Sequence, residues 1–143
     1  MKVSLLIVIV LIALIGSYVW ISYSHLSPSV QTKRAMLDRE LMKQGYEPNY
    51  FLLSGYRPPW LNRLMPLSAK KSVHQQGLAI DLFVMDIDGN DRFDDADLRI
   101  ITSALDRLDK RNPTVKGGVG LYHRPFRRMV HFDVSGTRGR WDN

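Results

Sequence analysis

The chain has 143 residues, 45% hydrophobic and 24% charged, proportions that exclude a disordered, collagenous or low-complexity protein. Cysteine is absent, which removes disulfides, cysteine-based zinc sites and thiol nucleophiles and leaves His, Asp, Glu and Asn as the metal-binding vocabulary. The net charge of +6 is unevenly spread: residues 81–97 hold seven aspartates against Arg92 alone, while residues 110–143 hold eight bases against two acids. The basic tail carries no nucleic-acid-binding fold signature, so no nucleic acid is expected as partner. An acidic cluster inside a basic protein points instead to a bound cation.

Val3 to Ile21 contains no charge. About 20 helical residues cross a bilayer core, so residues 1–26 read as an N-terminal transmembrane anchor in the cytoplasmic membrane. A cleaved signal peptide is the competing reading. The apolar run is long for one, however, and it ends in Tyr18-Val-Trp-Ile-Ser-Tyr-Ser24, a poor cleavage site. Lys2 precedes the run and no base follows until Lys33, which places the remaining domain, 27–143, on the periplasmic or extracellular side.

Ser27-Pro28 reads as an N-cap followed by proline at the first helical position, with Met36, Leu37, Leu41 and Met42 inward and a stop at Gly45. Tyr50 to Ser54 reads as a strand, Gly55 to Lys71 as a loop, and Ala79 to Met85 as a buried strand. Ala96 to Arg111 is an amphipathic helix with Leu98, Ile101, Leu105 and Leu108 on one stripe. Val119 to Tyr122 and Met129 to Val134 complete the strands. The fold class predicted is α+β, a small antiparallel sheet with flanking helices behind the membrane helix.

Three residues stand out. Asp81 sits among Ala79, Ile80, Leu82 and Phe83, where an ionised carboxylate needs a cation or donors. Period-two alternation puts His131 and Asp133 on one strand face and Val130, Phe132 and Val134 on the other. His74 lies in a polar stretch just before the Asp81 strand. Two imidazoles and a carboxylate make a three-ligand zinc site with an open position. Alternatively, Asp81 caps a turn and each histidine is a satisfied core residue.

Ser72-Val-His74-Gln-Gln-Gly77-Leu-Ala79-Ile-Asp81 fits the pattern S-x-H-x-x-G-x-A-x-D, and Ser54-Gly55-Tyr56-Arg57 fits S-G-Y-R. Together with Gly118-Val-Gly120-Leu-Tyr122, Val130-His131-Phe132-Asp133 and Arg140-Trp141, these motifs resemble the zinc D-alanyl-D-alanine carboxypeptidases and peptidoglycan endopeptidases that share a fold with the Hedgehog signalling domain, in their YcbK-like branch. The resemblance covers roughly residues 35 to 141. It implies a Hedgehog/DD-peptidase-like fold, zinc held by His74, Asp81 and His131, and Arg57 near the scissile amide. A guanidinium is a fixed donor fork for a carboxylate or a developing oxyanion. The plainer reading of Arg57 is a surface arginine beside Tyr56 and Trp60.

Many relatives carry an acid three residues before the last histidine, as general base for the attacking water; here that residue is Arg128. Asp133 is the best remaining acid, either as the base or as a group orienting an imidazole. The resemblance thus implies a zinc metallopeptidase acting on peptidoglycan stem peptides, a D,D- or L,D-carboxypeptidase or endopeptidase. The alternative is an inactive, metal-stabilised module that binds wall peptides. Trp60 and Trp141 are groove or core residues, and Arg124, Arg127, Arg128, Arg138 and Arg140 meet an anionic polymer, anionic lipid or plain solvent.

Residues 86–97 fit an EF-hand-like calcium loop, with Asp86, Asp88, Asn90, Asp94 and Asp97 offering side-chain oxygens and Arg92 its carbonyl. Asp91 stands at the sixth position, where glycine ordinarily makes the turn, and Asp97 replaces the longer glutamate. The competing reading is an acidic turn capping the following helix.

Overall fold

The computed structural model describes residues 2–65, 69–124 and 127–143. Residues 66–68 of the expected loop, and the side chains of Arg124 and Arg127, lie outside the described residues. Helix α1 (Lys2–Ser24) carries a stretch, Leu5–Ser24, long and apolar enough to cross a membrane, a property a signal sequence shares.

Helix α2 (Pro28–Lys43) starts where the sequence says it should. Ser27 Oγ accepts the Val30 N–H at 3.3 Å, Pro28 takes the first position, and Gly45 leaves the helix at φ +82°. Its inward stripe runs Val30, Lys33, Leu37, Leu41. Met36 is half-buried and Met42 is 56% exposed. Met42 lies one residue past the stripe, about 100° round the helix, so its predicted inward place is corrected.

Strand β1 (Tyr50–Ser54) matches expectation. The segment after it is not all loop, since Pro59–Leu64 forms a short helix, α3, with proline pre-set for its first turn. Strand β2 (Ala79–Val84) and helix α4 (Asp95–Arg111) follow, then β3 (Val119–Arg124), β4 (Arg127–Asp133) and β5 (Arg140–Asp142).

The sheet order is β1-β2-β4-β3-β5. The first four strands pair antiparallel, but β5 runs parallel to β3. The expectation of an antiparallel sheet is therefore corrected to a mixed one. Both edges of β4 are occupied by β2 and β3, so the chain reverses once after β4 and lies beyond β3, in the direction of β3 itself.

One sheet face is the core. Ile80, Leu82, Val119, Val130 and Phe132 are fully buried against Leu37 and Leu41 of α2 and Leu98, Ile101 and Leu105 of α4. Each such side chain contributes roughly 1.5–3 kcal/mol. Lys33 enters this layer with no exposure. Its Nζ donates to Asp109 Oδ1 at 2.7 Å and to the Asp133 carbonyl at 2.9 Å, tying α2 to α4 and to the end of β4. Burial pulls the Lys33 ammonium below its ordinary value, against the opposing pull of Asp109.

Candidate metal centre

The other sheet face carries the polar residues. Ser54, Asp81, His131, Gly120 and Trp141 are successive register partners across β1, β2, β4, β3 and β5. They form one rung spanning the whole sheet. A bulge between Leu52 and Ser54 brings Ser54, rather than Leu53, opposite Asp81. Gly120 is required there, because a Cβ would lie 2.1 Å from the Trp141 indole. Trp141 fixes its own indole by donating Nε1–H to the Tyr122 hydroxyl at 2.9 Å, and its ring stands 5.2 Å from that of His131.

His74 reaches this rung from outside the sheet. It sits on a 3-10 turn, Val73–Gln76, whose first residues are held by Ser72 Oγ accepting the His74 N–H at 3.3 Å. The His74 Nδ1 lies 2.6 Å from the Gly55 carbonyl, which can only accept. Nδ1 therefore carries a proton, and Nε2 is the nitrogen that faces the cluster. That Nε2 is 3.2 Å from His131 Nδ1 and 3.2 Å from Asp81 Oδ1, while His131 Nδ1 is 2.8 Å from the same oxygen. All three side chains are buried, and together they form a group that could hold a metal ion.

Arg57 is buried, not the surface arginine of the plainer reading. Its Nη2 stands 3.3 Å from Asp81 Oδ2 and 3.2 Å from Ser54 Oγ, and its Nη1 lies 3.3 Å from Asn62 Oδ1. Asp133 lies behind His131. Its Oδ2 is 3.5 Å from His131 Nε2, and its Oδ1 accepts the Gly118 and Ser135 N–H groups at 2.9 Å each. It thus faces the ring nitrogen turned away from Asp81 and His74.

The electrostatics follow from this packing. Burial would raise the Asp81 carboxyl, but the hydrogen bonds from His131 and His74 hold it well below the usual carboxylate range. Burial would likewise raise Asp133, yet His131 and the two backbone N–H groups bring it down to about 2. His131 moves the other way: burial lowers it, the flanking Asp133 and Asp81 outweigh burial, and the imidazole rises to about 9. A buried ring between two carboxylates demands positive charge, met by a proton or by a cation.

No protein-family model and no curated protein matches the chain. Its chemistry is read from its own residues.

In the acidic loop, Asp86, Asp88 and Asp97 bring carboxylate oxygens within 4.8 Å of one another. Asp91 takes the left-handed conformation at φ +61°, as the sixth position requires. Asp94 is the N-cap of α4, accepting from Ala96 N at 2.7 Å, and Asp97 completes a capping box by accepting from Asp94 N at 2.9 Å. Asp97 also accepts from Ile87 N at 2.7 Å, closing the loop on itself. Arg92 and Asn90 are exposed.

Two supporting residues escaped the sequence reading. Asn62 is buried against Arg57 and donates to the Ala69 carbonyl at 2.9 Å. Lys33 is buried beneath Asp133. Neither carries a signal in a single sequence, because each depends on a partner brought from elsewhere in the chain.

Proposed function

We propose that the chain is a membrane-anchored zinc peptidase of the Hedgehog/DD-peptidase-like fold, hydrolysing amide bonds in peptidoglycan stem peptides outside the cytoplasmic membrane. One observation carries the zinc assignment. In a tetrahedral site with bonds of about 2.0–2.1 Å, neighbouring donors stand about 3.3 Å apart. His74 Nε2, His131 Nδ1 and Asp81 Oδ1 stand 3.2, 3.2 and 2.8 Å apart. Two nitrogens and one oxygen suit zinc, and three protein donors leave a fourth position for chemistry rather than structure.

Zinc held there supplies Lewis acidity to an amide carbonyl and to the attacking water. The chain's own residues orient the donors. Gly55 fixes the His74 tautomer, Asp133 backs His131, and Arg57 borders Asp81. In this reading Arg57 meets the substrate's carboxylate or developing oxyanion. The ordered motifs around these residues support the peptidoglycan assignment, and the apolar α1 supports the anchored location.

A second reading is favoured by the place of Asp133 and by Arg128. With Asp133 behind His131 and no acid at 128, the attacking water lacks an evident proton acceptor. The chain is then a metal-stabilised module gripping wall peptides without cutting them. Purified full chain incubated with peptidoglycan and zinc separates the two. Zinc-dependent release of amino groups, lost in His131→Ala and mapped by mass spectrometry, supports the peptidase. Zinc-dependent binding without release supports the module, and the absence of both release and binding refutes both readings.

Calcium at residues 86–97 belongs to the same proposal, with Asp86, Asp88, Asn90, Asp94, Asp97 and the Arg92 carbonyl as ligands. The support is the convergence of Asp86, Asp88 and Asp97. Calorimetric titration of the full chain with calcium, repeated on Asp88→Ala, tests it; no calcium heat in the parent chain refutes it.

A further inference from the structure

The last turns of α1 are packed into the domain rather than tethered to it. Ser22 is fully buried and Leu26 nearly so. Tyr18 reaches Ser54 at 3.3 Å, Ser22 Oγ accepts from Gly55 N at 2.7 Å, and the Ser22 carbonyl accepts from Tyr56 N at 2.9 Å. His25 stacks on Tyr56 with ring centroids 5.0 Å apart, and Ser27 N donates to the Gly77 carbonyl at 2.9 Å. A Cβ on Gly55 would lie 2.6 Å from the Ser22 carbonyl and 2.9 Å from Leu26, so this seat admits no side chain at 55. The loops that hold Arg57 and His74 therefore rest directly on the end of the apolar helix.

This seat gives the domain a polarity. It lies where β1 ends and β2 begins, and α3 starts only three residues after Tyr56. There Trp60, Leu64 and Met65 are exposed, with Arg63, Lys70 and Lys71 exposed beside them. The acidic loop of residues 86–97 follows the opposite end of β2, six residues and about 20 Å away. Trp60, Arg63, Lys70 and Lys71 thus stand near the helix end, and the aspartates of residues 86–97 lie at the far end, where Arg92, Phe93 and Arg128 also sit. An exposed tryptophan with bases beside it, next to the end of an apolar helix, suits an anionic lipid surface.

We propose that this end of the domain is a lipid-docking surface. The end of α1 is retained as a structural part of the domain, and α3 lays Trp60 and Leu64 into the headgroup layer of the membrane that α1 enters. Ser22 Oγ accepts from Gly55 N and the Gly55 carbonyl meets His74 Nδ1, so one residue and two hydrogen bonds link the helix end to the metal centre. The centre then takes substrate presented at the lipid surface, a statement that rests on the peptidase reading, whereas the docking itself does not.

The test uses the full chain in nanodiscs of anionic lipid. Because the chain has no cysteine, Leu64→Cys and Phe93→Cys each give a single site for a nitroxide label. The label at 64 is expected to be relaxed by a lipid-soluble agent and shielded from a water-soluble one, and the label at 93 the reverse. Hydrogen exchange at Gly55 and Tyr56 is expected to be slowed at least tenfold relative to an unstructured amide. Equal water access at 64 and 93, free exchange at 55 and 56, or recovery of the chain cut before Ser27 overturns the proposal. So does a label at 64 shielded only when wall peptide is added, which would assign α3 to a substrate groove. None of these readouts depends on zinc or hydrolysis.

Discussion

Without a metal ion, the positive charge at His131 is a single proton, with a calculable consequence. In the metal-free protein His131 holds its proton up to about 9, against about 6.5 in an unfolded chain. A folded value raised above the unfolded one gives stability that is complete below pH 6.5 and is lost as pH rises through about 9. At about 1.4 kcal/mol per pH unit, the interval is worth roughly 3 kcal/mol. For a domain of about 115 residues that lowers the melting temperature by on the order of 10 °C. Two other groups titrate nearby. His123, raised first by Asp95 and also by Asp142, acts in the same direction but is partly exposed and counts for less. Lys33, lowered by burial, acts in the opposite direction. The assay is differential scanning fluorimetry of the chelated protein at pH 6 and pH 9.5, alongside His131→Gln. The parent should lose stability over this range and the variant should lose far less. Zinc should flatten the parent's profile, because metal binding replaces the His131 proton and releases it to solvent. A chelated parent whose melting temperature is flat across the range, or identical in pH dependence to His131→Gln, would show that His131 is not held between two carboxylates.

Asp133→Asn separates an orienting group from a base. Removing the charge behind His131 should weaken zinc binding by about 10- to 100-fold, read by competition with a chromogenic chelator, whereas unchanged affinity with lost hydrolysis would make Asp133 the base. Lys33→Met leaves the Asp133 carbonyl without its donor and Asp109 with Arg140 as remaining partner. Chemical denaturation should show a loss of roughly 3 kcal/mol, the low end for breaking a buried pair. Gly120→Ala forces the Trp141 indole aside and should cost roughly 1–3 kcal/mol together with a shift in tryptophan emission; an unchanged spectrum would mean that the ring does not lie over the glycine.

Regular elements were legible where local rules decide them. Ser27-Pro28, the Leu98–Leu108 stripe and the alternation through His131 each fix an element from its own residues. Strand β5 was not legible, because Arg140-Trp141-Asp142 is too short for any period and exists through pairing with β3. Helix α3 hid behind Pro58-Pro59, which reads equally as a turn. Burial of Lys33 was invisible because Asp109 lies 76 residues away. At the centre, residue types and faces pointed to His74, Asp81 and His131. Which side of the His131 ring Asp133 would face depends on ring orientation, which alternation along a strand does not encode.

The rung from Ser54 to Trp141 makes the centre a sensor of its own folding. If β4 slipped by a single residue against its neighbours, Phe132 would arrive opposite Asp81 and His131 would turn into the aliphatic layer beneath. Mispairing would thus strand a charge in oil and expose a phenyl ring at the same moment. The same polar groups that could grip an ion also proofread the strand order, and a chain that binds metal tightly has thereby reported its correct register.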